Sequence, residues 1–542
     1  MPFDINAAKE LAAGFKWILL CKFTFLNGST FYCSDSDVTF GGQAYLGVLE
    51  SQDLDKIQSM SESGVDIPAS MTFHFADANA YVYLNYERGA GRGFRGAKVE
   101  ARLAFRNALG AENSTDSIVR FSGVCDPATP TSETILEVRA QNRLNASKKQ
   151  LPQFLMQRHC AKIRPKTASQ CAQANDEDSD FYWCGVTDPG KPDCHNTREG
   201  CIAADNLPRF MALTFQPPKD GGKGREYVSG AQVQLYNAGN ESNYGEPFPL
   251  VLGRGWVQAP VFAMYQDGNY TNLEVGLCVD NIDTGYAATV GTRVVVNGIE
   301  MPPAGYDSPG GFVQLKPGNV GWWNWYTRGT RDGLTTGEVA ARHGGKADPY
   351  GSLTTILVTV PRQVASGESK PTVNVLFSGP KIRVYSNPST HTRVWTDNPA
   401  WHLLYLLANS NWRYSELDIQ SFIDAAAVCD EPVPYTSQYG GTLNHARYKC
   451  NLILRQRRQA GELIRGVRQT ANMMLQPNRS TGLLAVAVKG TLAAQQPSAP
   501  AGTNYSTPVS SKTRAGVAAN GYVAYRFTED NTLSVRGIPR PI

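Results

Sequence analysis

The chain is poor in charge, in long apolar runs and in histidine, and each shortage removes a class of protein. Charged residues make up 18% of its 542 positions, against roughly a quarter of an average globular chain. Hydrophobic residues reach 42%, so a disordered or coiled-coil chain is excluded and sizeable cores are expected. The 52 basic and 48 acidic residues leave a net charge of +4, so no broad basic field for nucleic acid exists. No stretch approaches the roughly 18 consecutive apolar residues of a membrane-spanning helix. The most apolar early run, Trp17 to Cys21, stops at Lys22. The N-terminus lacks the basic region of a secretory signal, and the expectation is a soluble chain made in a reducing cytoplasm.

Catalytic signatures are missing as well. There is no G-x-S-x-G, P-loop or H-E-x-x-H, and the seven histidines stand apart from one another. Gly91-Arg-Gly93-Phe-Arg-Gly96 matches G-x-G-x-x-G. A dinucleotide site needs a helix after that motif, but Ala97 to Leu103 reads as a strand, so a flexible turn is expected. Asp35 and Asp37 read as a solvated turn. Asn175 to Asp180 reads as an exposed acidic loop, without the Gly and terminal Glu of a calcium loop. A non-enzyme is expected.

What is present is strand and turn. The 51 glycines and 32 prolines account for about one residue in seven. Period-two alternation marks strands at 16–25, 30–40, 65–75, 97–105, 117–123 and 135–140, with a hairpin at Gly41-Gly42. Strands recur at 251–252, 273–279, 294–296, 354–360 and 373–377. Between these blocks, 146–215 is polar and aperiodic, apart from a short helix expected over Ser147 to Arg158. Helices otherwise come only after 398: Pro399 suits the first turn of Ala400 to Ala408, Asp418 caps a helix to about Val428, and a third spans about Arg457 to Leu475. On that third helix Ala460, Leu463, Ile464, Val467, Ala471 and Met474 share one face. Strands are expected again at 482–487, 522–527 and 533–535, with a loop over 495–511.

The fold class read from this pattern is mainly β, with barrel or sandwich domains, a small cysteine-rich loop domain and an α+β C-terminal part. The expected divisions are 1–145 (β-rich), 146–215 (cysteine-rich), 216–390 (β-rich with a long loop insertion), 391–490 (α+β) and 491–542 (an incomplete β segment).

The 11 cysteines are unevenly spread. Cys160, Cys171, Cys184, Cys194 and Cys201 fall within 42 residues. A disulfide scaffold distributes its cysteines through a small domain; a local cluster in a long chain reads as a metal or cofactor site. Four thiolates can hold Zn²⁺ or a [4Fe–4S] cluster, yet neither the short zinc knuckles nor the C-x2-C run of ferredoxins occurs. Metal, disulfide and free thiols all remain open on spacing. His159 and His195 adjoin cluster cysteines as candidate supporting donors. The aromatic run Trp322-Trp323-Asn-Trp325-Tyr326 offers a sugar-stacking surface or a core.

Three stretches of the sequence resemble the tail-tip hub proteins of long-tailed phages and gene transfer agents. Tyr32-Cys-Ser-Asp-Ser-Asp-Val-Thr-Phe-Gly-Gly-Gln-Ala-Tyr45 is similar to the early hairpin of the first hub domain. Arg143-Leu-Asn145, Arg158-His-Cys160, Cys171, Thr187-Asp-Pro, Cys194 and Cys201 resemble the iron–sulfur domain of lambda-type minor tail proteins. Asn398-Pro-Ala-Trp-His-Leu-Leu-Tyr-Leu-Leu407, Ile419, Phe422, Ala426, Cys429-Asp-Glu431 and Arg447-Tyr-Lys-Cys-Asn451 resemble the central tail-tip attachment protein. The resemblance implies a [4Fe–4S] cluster, with zinc as the alternative, on Cys160, Cys171, Cys194 and Cys201. Cys184 is the competitor for the place of Cys171. It implies a homotrimer at the distal tail tip of a virion, assembled in the host cytoplasm. Its partners there would be distal tail, tail tube, tape measure and receptor-binding proteins, with DNA only in transit and the host envelope met at infection. The other classes in view are an iron–sulfur redox enzyme and a carbohydrate-binding β protein.

Overall fold

The computed structural model describes residues 16–52, 70–77, 80–89, 93–106, 117–141, 149–157, 159–211, 227–229, 231–233, 235–236, 245–267, 270–280, 282, 291–303, 305–307, 311–313, 321–328, 353–361, 371–410, 412–437, 440–478 and 481–488. The chain divides into two units, one formed by residues up to 145 together with those from 472 on, the other by 146–471.

The first unit is built on a ten-stranded sheet. Its strands are β1 (Lys16–Thr24), β2 (Thr30–Ser34), β3 (Val38–Phe40), β4 (Gln43–Gly47), β5 (Leu49–Gln52), β6 (Ser70–Ala76), β7 (Lys98–Arg106), β8 (Ile118–Cys125), β9 (Thr129–Pro130) and β10 (Ile135–Gln141). The order is β3-β4-β2-β1-β7-β8-β10-β6-β5, with β9 beside β10. That path has two ends, so among the described residues the strands do not close into a barrel. Alternation decides which side of each strand is buried. On β1, Leu19, Cys21 and Phe23 join a core with Phe31, Phe73, Phe75, Phe94, Val99 and Phe121. Ile18 and Leu20, one residue out of phase, pack with Phe40 and Ala104 on the other side. The rings meet edge-on, Phe23 lying 5.3 Å from both Phe73 and Phe94. Gly41 and Gly42, both at positive φ, make the two-residue turn from β3 to β4, the conformation such hairpins require. The turn and following strand at Gly96 and β7 are as expected; Gly91 lies outside the described residues.

The second unit holds a β-sandwich. A five-stranded sheet (235–236, 261–267, 270–279, 353–361, 322–328) and a four-stranded sheet (254–258, 373–378, 293–296, 299–301) share one core. Val257, Leu273, Val275, Val294, Trp323, Ile356, Val358, Val375 and Phe377 fill it. Strand Tyr270–Val279 is buried on both faces, with the polar Thr271, Asn272 and Glu274 buried beside Leu273, Val275 and Leu277. The buried amide of Asn272 accepts a 2.7 Å hydrogen bond from Thr359.

Five α-helices are described: α1 (Ala168–Ala172), α2 (Arg198–Ala203), α3 (Pro399–Ser410), α4 (Ile419–Asp430) and α5 (Ala460–Thr470). None is long and apolar enough to cross a membrane. Asn398 caps α3 by accepting from the Ala400 amide at 2.9 Å. Asp418 stands at the N-cap of α4, but its side chain makes no capping bond. The early helices α1 and α2 are too short to show a periodicity. The helix expected over 147–158 is absent from its described part. Gln150–Leu151 instead pairs with Arg458–Gln459, and Pro152, with a fixed φ and no N–H, cannot carry a helical ladder through that position. α5 ends at Thr470, short of the expected Leu475. Asn472 turns the chain at φ 49° and Met473–Pro477 pairs as a strand with Leu484–Val488. A strand alternates, so Met473 and Leu475 are buried while Met474 is 42% exposed, not on a buried helix face. The strands and loop expected over 495–535 lie outside the described residues.

Candidate functional site

Residues 159–211 carry little apolar material. Their own core is Cys194, Cys201, Ala204 and Phe210, with Cys160 and Leu207 against it. Met156 and Met211 seat the segment on the sandwich through Phe262, Leu353 and Leu357, with Phe154, Cys160 and Ala161 alongside. Local polar bonds must therefore hold most of the shape.

Those bonds gather four cysteines. Thr197 donates its amide to the Cys194 carbonyl at 2.8 Å, and its hydroxyl accepts from the Gly200 amide at 3.1 Å. This caps α2 and fixes the step from Cys194 to Cys201. A Cβ at Gly200 would collide with the Cys194 backbone, so only glycine fits. Asn196, in the left-handed region at φ 57°, presents its carbonyl to the Cys160 amide at 2.7 Å. The Met211 amide donates to the Cys160 sulfur at 3.4 Å. Asn206 joins the remaining pair: its side-chain amide donates to the Cys184 carbonyl at 3.0 Å and points at the Cys184 sulfur at 3.8 Å. Its carbonyl accepts from the Cys201 thiol at 3.1 Å.

The electrostatics tie the same four together. Burial, then Cys160, Cys194 and Cys184, push the Cys201 thiol up to about 12, and Lys162 partly opposes them. Burial raises Cys184 too; the Val186 amide lowers it, Cys160 and Cys194 raise it, and Arg164 lowers it. Lys162 is 4% exposed. Burial pulls its ammonium down to about 8, against Cys160 and Cys184. It donates to the Arg209 carbonyl at 2.7 Å and lies 5.9 Å above the Trp183 ring. Four gathered thiols beside two buried cations, Lys162 and Arg164, are a donor set that fits an anionic thiolate-ligated group.

Of the residues expected to be ligands, Cys160, Cys194 and Cys201 come together. Cys171 lies buried on α1 and is not among the leading influences on Cys184, Cys201 or Lys162. Cys184 instead lies close enough to raise Cys201 and to be raised by Cys160 and Cys194. All eleven cysteines are free thiols. No three Cys, His, Asp or Glu side chains among the described residues are arranged to hold a single ion. A tetrahedral zinc site needs sulfurs about 3.8 Å apart, from a Zn–S length of about 2.3 Å. A cluster places iron and sulfide between its thiolates and spans a wider set.

No family model matches the chain, and no curated protein matches it. A solved chain of the virion of a native gene transfer agent particle is similar with a TM-score of 0.23 and 12% identity, covering 66% of this chain and 84% of that one.

The other candidates have structural explanations. Trp322, Trp323 and Trp325 are 6%, 0% and 7% exposed, so their faces are not open to a sugar. His195 is an exposed side chain beside Asp193. Asp37 accepts from the Gly47 amide at 2.7 Å in its turn. The acidic loop hides a role that sequence spacing did not show. Glu177 and Asp178 bond Arg383 at 3.0 and 2.7 Å, and Arg393 bonds Glu177 at 3.3 Å and Asp280 at 3.2 Å. Burial pushes the Glu177 carboxyl up, but Arg393 and Arg383 outweigh it and hold it below the usual range. The partners lie about two hundred positions apart, beyond any local pattern.

Proposed function

We propose that this chain is a structural protein of a phage-like particle, the hub that closes the distal end of a tail tube, and that it carries a [4Fe–4S] cluster on Cys160, Cys184, Cys194 and Cys201. The observation that carries the cluster is the convergence of these four thiols in a segment with almost no core of its own. A bound cluster would supply the stabilisation that apolar burial does not. The tail-tip role rests on the three sequence stretches that resemble hub proteins, and two β-rich units suit a ring-forming part. Three copies of paired hub domains mimic a six-fold ring and match a tube to a trimeric tip. A near-neutral chain suits a passage through which DNA leaves, since a basic lumen would retain it.

Anaerobic purification with iron and sulfide analysis tests the cluster. About four irons and four sulfides per chain are expected, with brown colour. Cys184→Ser should lose the iron and Cys171→Ser keep it; the reverse result restores Cys171 to the ligand set. A colourless protein with stoichiometric zinc overturns the cluster. Native mass measurement and electron microscopy of particles test the hub: a trimer at the tail tip is expected, and a monomer absent from particles rejects it.

A further inference from the structure

We propose that Arg164 is the resident hydrogen-bond donor and counter-charge for the anionic cluster held by Cys160, Cys184, Cys194 and Cys201, with Lys162 as its companion cation. This inference rests on the cluster reading of those thiols. Its own ground is the guanidinium. The Arg164 side chain is 6% exposed. Nη2 donates to the Lys191 and Pro192 carbonyls at 2.8 and 2.9 Å, which locks the plane of the group just before Cys194 in sequence. Nη1 is buried and has no hydrogen-bond partner among the described residues. A buried donor left unpaired is costly, more so when charged, and arginine does not escape by losing its proton.

The protein offers this charge only partial compensation. The nearest carboxylate, Asp193, lies 3.9 Å from Nε and is 40% exposed, and it is shared with Lys166 at 3.5 Å. A buried, unpaired N–H on a guanidinium fixed against the backbone that leads into Cys194 is what a polyanionic sulfur-rich ligand needs. N–H bonds to cluster sulfur and nearby positive charge favour the more negative, reduced state. Arg164 is thus a positioning and tuning residue, and iron binding itself belongs to the cysteines.

The test compares the anaerobically isolated protein with Arg164→Gln, Arg164→Lys and Lys162→Met, with exposed Lys166→Met as control. The readouts are iron and sulfide content, the midpoint potential of the cluster, and the rate of iron loss to an anaerobic chelator. Arg164→Gln should make reduction about tenfold less favourable, a fall of about 59 mV for one electron. It should also speed iron loss by a similar factor. Arg164→Lys should recover most of the potential, Lys162→Met should lower it, and Lys166→Met should leave it unchanged. Should Arg164→Gln not fold, the Arg164→Lys and Lys162→Met potentials decide. Fully loaded Arg164 and Lys162 variants with wild-type potential and chelation rate overturn the inference and leave the cluster standing. Wild-type protein without iron or sulfide overturns the cluster reading, and this inference with it.

Discussion

His402 is a single residue with a measurable pH signature. It sits on α3 fully buried, with Nε2 3.0 Å from the Thr396 carbonyl, so the proton is assigned to Nε2. Nδ1 is buried without a hydrogen-bond partner among the described residues. Burial pulls the imidazole down to about 4, against weaker opposing pulls from the Thr396 carbonyl and Asp397. An unfolded histidine titrates near 6.5. Between those values the unfolded chain binds a proton that the folded one refuses, so stability rises with pH. The contribution is complete above about pH 6.5 and is lost as pH falls to about 4. The full difference is on the order of 3 kcal/mol. Urea unfolding of wild type should therefore weaken between pH 7 and 4.5, and His402→Gln should flatten that dependence. Equal slopes in the two proteins would assign the effect to other groups. The neighbouring Asn398-Pro399 was readable from sequence because capping is local chemistry. The burial of His402 was not, because it depends on what packs around α3.

At the scale of elements, the acidic loop 176–178 is clasped by the hairpin of Ile382–Asn387 and Thr390–Val394. Arg383 is 6% exposed at its side chain and bonds both carboxylates, while stacking 4.2 Å from the Tyr414 ring centre. Arg393 and, at 3.7 Å, His391 share Glu177. Both carboxylates keep over a third of their surface in water, which screens the charge term. Arg383→Met is expected to cost about 1–2 kcal/mol, mainly from hydrogen bonds to charged groups. A double-mutant cycle with Glu177→Gln should show coupling of about 0.5 kcal/mol or more. Limited proteolysis should cut the 173–182 loop faster in Arg383→Met; unchanged cutting would mean that the clasp does not order the loop. Elements with a repeating pattern were readable: β1, β7, β10 and strand Leu353–Pro361 fall where alternation or continuous apolar runs placed them. The C-terminal end of α5 was not, because Met474 satisfies a helical face on paper while Asn472 turns the backbone before it. The single turns α1 and α2 carry no period at all, only the capping residues Thr167 and Thr197.

For the whole molecule, the contrast lies between units that make their own cores and a segment that does not. The ten-stranded sheet and the sandwich each bury a long roll of Phe, Val, Leu and Ile, and area burial of that kind dominates folding. Residues 159–211 bury Cys194, Cys201, Ala204 and Phe210 as their own cluster, so much of their order must come from caps, Asn206 and whatever the thiols bind. The change of composition near 146 is visible in the sequence because it needs no knowledge of packing. The closeness of Cys184 to Cys201 is not, since the resemblance points to Cys171 with Cys184 as its competitor, and the Asn206 contacts to Cys184 and Cys201 form only in the fold. If the four thiols hold a cluster, its loss should have a confined effect. Stripping iron with chelator and oxidant should raise amide exchange across 159–211 by at least tenfold, about 1.4 kcal/mol of lost local stability. The amides of β1, β7 and β8 and of strands 270–279 and 353–361 should keep their protection, because none of their ladder bonds depends on the thiols. Conversion of the Met211 amide from slow to fast exchange would be the sharpest single signal, since it donates to the Cys160 sulfur. Uniform loss of protection through both sheets would instead make the cluster a condition for folding the whole chain. No change anywhere would mean that the caps and hydrogen bonds hold the segment without it.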